Sequence, residues 1–459
     1  AASRQSPVES IPRGQKFVRN FTSAARDNRP ATEMSVLVEF ISPLGETNLA
    51  GAFWNGGTEW QVRFCPEICG RWKLSTICSD TNNAGLHAQS GEFLCTAPAR
   101  RNLFDQHGGL QISRDGRRFE YADHTPFPVL LAAGGAGDPG LKRAALSSRA
   151  QLLAAGKFSA VLITLPRAAR LADWDAQLDA LNDAGLVPVI APLWEIGLRD
   201  EELLDEAAAI SLWRNAIARW NANHALWLFA CEGQGLGAKV NRWQKIGRAV
   251  FGNSTHAPVI FYPGTTAWMM DEFRDENWVG AFGFKTADAN QAEALRWMLL
   301  GPLASEWKKS PARPLLSLSP QTDSRLAWWS LFLAPPCGTS FASDSAILAK
   351  PTADLFGTID FAQLAPAPRL LARQPGYDSP TNFVSVLASA SRDLVAAYLP
   401  QGGRLELVSS GLPAATRSEW FNPHSGEKTP ARAEVHEARM NFQSPTRGEW
   451  LLIVRSAGK

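Results

Sequence analysis

Between Phe17 and Ala97 the apolar residues return at every second position. The runs MSVLVEFISP, RWKLSTICSD and GEFLCTA alternate in this way. So does GAFWNGGTEWQVRFCPEICGRW, where Phe53, Trp60, Val62 and Phe64 are broken by NGG and CPEICG, with Trp72, Leu74 and Thr76 beyond. A period of two interrupted by turn residues predicts antiparallel strands with one buried face. With no helical period between them, these strands predict a β-sandwich. Trp60 and Trp72 share the core parity, whereas Trp54 has the opposite one and is expected to be exposed or packed on a neighbouring domain.

After the basic turn APARRN comes GLQISRDGRRFEYADHTPFPVLLAAGG, a hairpin with a DG turn that feeds a buried strand. The pattern then changes to strand followed by helix. The predicted strands are PVLLAAGG, FSAVLITLP, LVPVIAPLWE, ALWLFACEG, APVIFYPG, WVGAFGF, PLLSLSP and CGTSFAS, separated by amphipathic segments such as EELLDEAAAISLWRNAIARW and VNRWQKIGRAVFG. Eight apolar strands alternating with helices are the pattern of a TIM (β/α)8 barrel. A doubly wound open sheet is the competing architecture. It lacks support because GGAGDPG after the first strand does not have the spacing of a dinucleotide-binding loop. From about 375 the strand pattern resumes with FVSVLASAS, DLVAAYLP, RLELVSSGL, ARMNFQSP and EWLLIVR. The expected organisation is a multidomain α/β plus all-β chain, with a sandwich over 1–103, a barrel over 104–374 and a second sandwich over 375–459.

Composition narrows the function classes. The chain has 459 residues, a hydrophobic fraction of 45%, charged residues at 20% and a formal charge of +2, which does not suit a nucleic-acid or membrane-surface binder. No apolar run reaches the length of a membrane span, and AASRQSPVESIPRGQ lacks the hydrophobic core of a signal peptide, although a cleaved secreted protein would begin in the same way. Six cysteines lean toward an oxidising compartment, with bridges Cys78–Cys95 or Cys65–Cys69 feasible. No histidine has zinc-ligand spacing to these thiols, no acid cluster has calcium-loop spacing, and no cofactor motif is present.

In a TIM barrel the reacting groups stand where strands end. Those positions hold Trp194 and Glu195 after strand three, Glu232 after strand four, Tyr262 and Trp268 after strand five, and Lys285 after strand six. Strand seven adds Ser319 and Gln321, and strand eight Asp344. Glu232 follows an apolar run and precedes glycines, a setting that raises a carboxyl pKa as a general acid requires. Glu195 ends the adjacent strand, roughly 4.8 Å away in a sheet, so the two acids could flank one glycosidic bond. Either glutamate could instead serve as a structural ion pair with Lys285 or Arg199. Asp344 is the other candidate for the ionised partner, and Trp194, Tyr262 and Trp268 would bound a sugar.

The pattern F-W-x-G-x-x-x-W-x-V-R-F looks like the N-terminal sandwich that precedes barrels in bacterial polysaccharide-degrading proteins, and WFNPHSGE followed by GEWLLIV resembles the C-terminal sandwich after them. Together with the barrel, the chain resembles the apiosidase-like bacterial proteins near glycoside hydrolase family 140. That resemblance implies an acid/base after strand four, carried onto Glu232, and a nucleophilic acid at the end of strand seven. This chain reads RPLLSLSPQTDS there, placing Ser319 at the nucleophile's position, and Ala132–Ala136 replaces the family's G-D-T-x-W ending. A serine is neutral at working pH and needs its own base. The expectation is therefore a secreted or periplasmic carbohydrate-active protein, with an inverting glycoside hydrolase easier to write than a retaining one. A glycan-binding barrel without catalysis is the alternative. A lyase using Tyr262 and Lys285 has weaker support.

Overall fold

The computed structural model of the chain describes residues 9–24, 34–99, 102–134, 140–231, 238–252, 256–264, 269–286, 288–412 and 416–457. Eight parallel strands form the centre: β1 (Val129–Ala133), β2 (Ala160–Thr164), β3 (Val187–Ala191), β4 (Leu226–Ala230), β5 (Val259–Tyr262), β6 (Ala281–Phe284), β7 (Leu315–Ser317) and β8 (Gly338–Ala342). They neighbour one another in chain order, and β1 pairs with β8. These are the eight strands that the apolar runs predict.

Alternation sorts each strand into two layers. Val129, Leu131, Leu162, Val189, Leu226, Leu228, Ile260 and Leu316 fill the barrel interior. Leu130, Ile163, Ile190, Trp227, Phe229, Phe261 and Phe282 face the helices. Those helices include α1 (Arg143–Ala155), α2 (Asp175–Asp183), α3 (Glu206–Trp220), α4 (Ala238–Phe251), α5 (Ala292–Leu300), α6 (Ser324–Phe332) and α7 (Ala346–Phe356). Asp323 caps α6 by accepting from the Arg325 amide, as an acid at a helix start does. The N-terminal end of the barrel is closed by the hairpin Leu110–Ile112 and Phe119–Tyr121, whose Phe119 and Tyr121 join the interior core. Between β7 and β8 the ring closes through other groups than a regular ladder. Cys337 Sγ donates to Leu315 O at 2.7 Å, Ser340 Oγ donates to Ser319 O, and Ala342 N donates to Gln321 O at 3.0 Å.

The N-terminal strands form one seven-stranded sheet folded over on itself. Strand Thr47–Gly56 pairs first with Val36–Ile41 and then, from Phe53, with Glu59–Phe64. The two halves meet across stacked rings, Phe17 on Phe93 at 4.2 Å and Phe40 on Phe64 at 4.1 Å. Trp60 and Trp72 lie in this core, and Trp54 is 46% exposed. The C-terminal sandwich packs a six-stranded sheet on a three-stranded one. It begins before the expected boundary at 375, because Leu364–Pro366 is an edge strand paired with Ser385–Ser389.

The feasible bridge between Cys78 and Cys95 does not form, for a reason of register. Cys95 is paired with Gly70, while Cys78 ends the same strand, roughly 25 Å away at about 3.3 Å per residue. All six cysteines are thiols. Cys95 lies against Cys69, and burial pushes the Cys95 thiol up to about 12. Under a strong disulfide-forming oxidant the expected cross-link in this domain is Cys69–Cys95, read by non-reducing peptide mapping. A Cys78-containing cross-link would contradict the register.

No helix among the described residues is long and apolar enough to cross a membrane.

Candidate active site at the barrel mouth

The mouth lies at the C-terminal ends of β1–β8. Glu232 and Trp268 fall outside the described residues. The remaining candidates divide into three groups: an aromatic wall, a neutral hydrogen-bonded cluster and two acids in unlike settings.

After Ala191 the two-residue period of β3 slips. Ala191 faces the interior, Leu193 the helix layer, and Trp194 the interior again. Trp194 is held there by a parallel bridge to Ala230 and sits beside Tyr262, ring centres 6.1 Å apart. The chain turns sharply past β5 at Gly264, where φ is +65° and a Cβ would lie 2.6 Å from Ile196. Only glycine fits that conformation without strain.

The same slip sends Glu195 toward α4. It is fully buried and takes Arg242 Nη1 at 3.1 Å on one oxygen, with Nη2 at 3.4 Å and Leu204 N at 3.3 Å on the other. Burial pushes its carboxyl pKa up, and the Arg242 charge and hydrogen bonds oppose that rise. Arg242 also lies over the Trp243 ring at 4.0 Å and donates to Leu204 O. The cation partner is thus Arg242, neither Lys285 nor Arg199. Arg199 pairs with Glu201 and Glu202.

Tyr262 is buried, and its hydroxyl shares a hydrogen bond with Ser319. Burial raises the phenol to about 12, so it is a neutral donor or acceptor at working pH. Ser319 Oγ also accepts from Thr286 N at 3.0 Å, and Ser319 O accepts from Gln321 Nε2 at 2.8 Å. Gln321, buried to 2% exposure, donates in addition to Thr286 Oγ1 at 2.8 Å. These bonds tie the ends of β5, β6 and β7 together. Lys285 and Asp344 are exposed on the rim, Asp344 accepting from Ser345 Oγ at 3.3 Å. Among the described residues no three His, Cys, Asp or Glu gather as metal ligands would.

Residues 166–345 match an apiosidase-like catalytic domain. That stretch contains β3 through β8 and every candidate above. That match is flanked by matches to a domain of unknown function, DUF5060, over 12–79, and to a "putative collagen-binding domain of a collagenase" over 369–455. Among solved structures, a "putative glycoside hydrolase" from Bacteroides vulgatus superposes with a TM-score of 0.70 at 13% identity, covering 97% of this chain and 99% of that one. A glycoside hydrolase family 5 protein from Bacteroides vulgatus gives 0.62 at 16% identity over 77% and 95% of the two chains, and a third protein, described as a glycoside hydrolase, gives 0.63 at 14% over 77% and 98%. At these identities the likeness is one of fold. No curated protein sequence matches the chain.

Most of the tryptophan surplus serves the packing of the barrel rather than its mouth. Trp213, Trp220, Trp227 and Trp243 are fully buried between the strands and the helix layer, and Trp328 and Trp329 pack beneath the C-terminal sandwich against Tyr398. Sequence reasoning missed Arg242. It lies on an ordinary amphipathic helix, and nothing local marks its partner 47 positions away. Replacing Glu195 with Gln is expected to lower stability by about 3 kcal/mol, since the buried guanidinium would face an amide donor in place of a carboxylate. Pairing it with Arg242→Met should recover part of that loss, as thermal unfolding of the double-mutant cycle would show.

Proposed function

We propose that the chain is an inverting glycoside hydrolase that uses Glu232 as general acid and Asp344 as the base that activates water. The apiosidase-like match supports a hydrolase, and the phase of β4 supports Glu232. Leu226, Leu228 and Ala230 face the barrel interior while Trp227, Phe229 and Cys231 face the helices. A period of two that continued for one more residue would set position 232, which lies outside the described residues, on the interior side. Trp194 and Tyr262, with Trp268, bound the sugar, and Ser319, Gln321 and Lys285 offer its hydroxyls neutral and cationic partners. In the reaction the Glu232 proton passes to the glycosidic oxygen as the C–O bond breaks. Water attacks the opposite face and gives its proton to Asp344. Glu195, with both oxygens engaged, enters this reading as the anchor that fixes Trp194, not as a catalytic acid.

The carrying observation is the aromatic wall formed by Trp194 and Tyr262 at the open end of the barrel. The test is a screen of plant and bacterial polysaccharides for released reducing ends by the wild type, Glu232→Gln and Asp344→Asn. One observation favours a second reading, a glycan-binding barrel without turnover: Ser319, which the family resemblance sets at the nucleophile's position, lies inside a neutral hydrogen-bonded cluster. In that case no polysaccharide is cleaved, and glycan affinity falls with Trp194→Ala. Secretion or export to the periplasm belongs to the same proposal and is checked by cell fractionation.

A further inference from the structure

At the closed end of the barrel, opposite the mouth, a groove of about 530 Å³ runs between the barrel and the C-terminal sandwich. Its walls come from four stretches far apart in sequence. The hairpin and the loop before β7 supply Arg117, Trp307 and Lys308, the connector supplies Arg369, and the turn between Ser385–Ser389 and Leu394–Leu399 supplies Arg392. Among the described residues Asp115 is the one carboxylate in the lining, and it is paired with Arg118 at 3.3 Å. Arg118 also donates to Ala362 O at 2.6 Å, so it closes the groove's floor. Arg117, Lys308, Arg369 and Arg392 make no ion pair among the described residues, and the last three are exposed.

Two features position three of these cations. The Trp307 ring carries the Arg117 guanidinium at 5.5 Å and the Lys308 ammonium at 5.6 Å, which restrains two long side chains at one end of the groove. At the other end Arg392 has φ of +61°, a conformation that glycine adopts without cost and arginine does not. A net charge of +2 for the whole chain makes four cations without an ion-pair partner among the described residues a local concentration in one groove, not a general surface property.

We propose that this groove is a second binding site, for an oligosaccharide that carries carboxylate or sulfate groups on successive units. Cations at both ends of the groove match repeated anions better than a single one. The volume suits a short oligosaccharide, and small residues (Ala365, Ala367, Ala388) leave the wall between the charges open. The choice of a glycan over other polyanions rests on the carbohydrate reading above, while the anion preference rests on the groove alone. A substrate chain held here would keep the enzyme on an acidic polysaccharide while the mouth acts on another part of it.

The test is titration calorimetry of the full chain with an alginate hexasaccharide, a sulfated dextran oligosaccharide, a neutral malto-hexaose and a single-stranded DNA oligomer of equal charge. The expected result is binding of a charged oligosaccharide but not the neutral one, weakening as salt rises. The carboxylated and sulfated probes distinguish the two kinds of anion. Arg369→Gln with Arg392→Gly should weaken it about tenfold. Because Gly suits the backbone at 392, thermal stability should hold or rise, so lost affinity is not lost folding. Trp194→Ala, which removes the aromatic wall of the mouth, should leave this binding unchanged, which separates the groove from the mouth. Equal binding of charged and neutral sugars, no binding of either charged sugar, or an undiminished affinity in the double variant would overturn the proposal. Tighter binding of the DNA would overturn the assignment to a glycan.

Discussion

Glu232→Gln is expected to lower turnover at least a thousandfold on a substrate with an ordinary sugar leaving group, with KM changed only a few-fold. Gln keeps the shape and hydrogen-bonding reach of Glu but cannot give up a proton, so a contribution made only in the transition state is lost. The diagnostic comparison uses aryl glycosides. A dinitrophenolate leaves without protonation, so the deficit of Glu232→Gln should shrink sharply on such a substrate. Asp344→Asn should stay deficient on both, since a base that activates water is needed whatever leaves. If Glu232→Gln retains wild-type turnover on natural and aryl substrates alike, Glu232 is not the acid. If the wild type cleaves nothing, the binding reading takes its place.

Asp175→Ala is expected to cost about 3–5 kcal/mol, the scale for removing one partner of a buried charge cluster. Asp175 begins α2 and joins the N-terminal sandwich to the barrel. Its carboxylate takes Arg63 Nη2 from the sandwich at 2.7 Å, Arg219 Nε at 2.9 Å and Nη2 at 2.8 Å from α3, and Trp220 Nε1 at 2.8 Å. Both guanidinium groups lie over the Phe53 ring, at 5.0 and 4.6 Å, and Arg63 also donates to Arg219 O. Alanine would leave two cations packed against one aromatic face with no anion between them. The same contact sets an acid dependence. Burial alone would raise the Asp175 pKa, but the hydrogen bonds from Arg63 and Arg219 bring it down to about 2.

A folded-state pKa below the unfolded value means that the contribution is complete above about pH 4 and is lost as pH falls toward 2. It amounts to about 2 kcal/mol. Thermal unfolding between pH 6 and 2.5 should therefore show a steeper acid loss in the wild type than in Asp175→Asn. Parallel curves would remove Asp175 from the account.

Much of the architecture was legible because it is written in local periods. Each barrel strand is a short apolar run between turn residues, and the parity of Trp54 against Trp60 already separated an exposed ring from a buried one. Asp323 was readable as a cap because capping involves neighbours two or three positions away. The site was less legible. The expectation that Glu195 and Glu232 could share one glycosidic bond followed from adjacent strand ends. It assumed that the period of two continues past β3. The slip after Ala191 turns Trp194 inward and Glu195 outward, and its one local sign in the run APLWE is Pro192, which cannot donate to a strand ladder.

What the sequence determined by itself was the order of elements, the inward and outward faces within each strand, and the strand ends at which chemistry would be sought. All of these depend on interactions within a few residues. Tertiary structure alone decided that Arg242 claims Glu195, that Cys95 meets Cys69 and not Cys78, that Asp175 joins two domains, and that four cations collect in one groove. Each depends on the relative placement of elements tens to hundreds of residues apart. Electrostatic and hydrogen-bonding partners at that range are chosen by packing geometry, which no local period records.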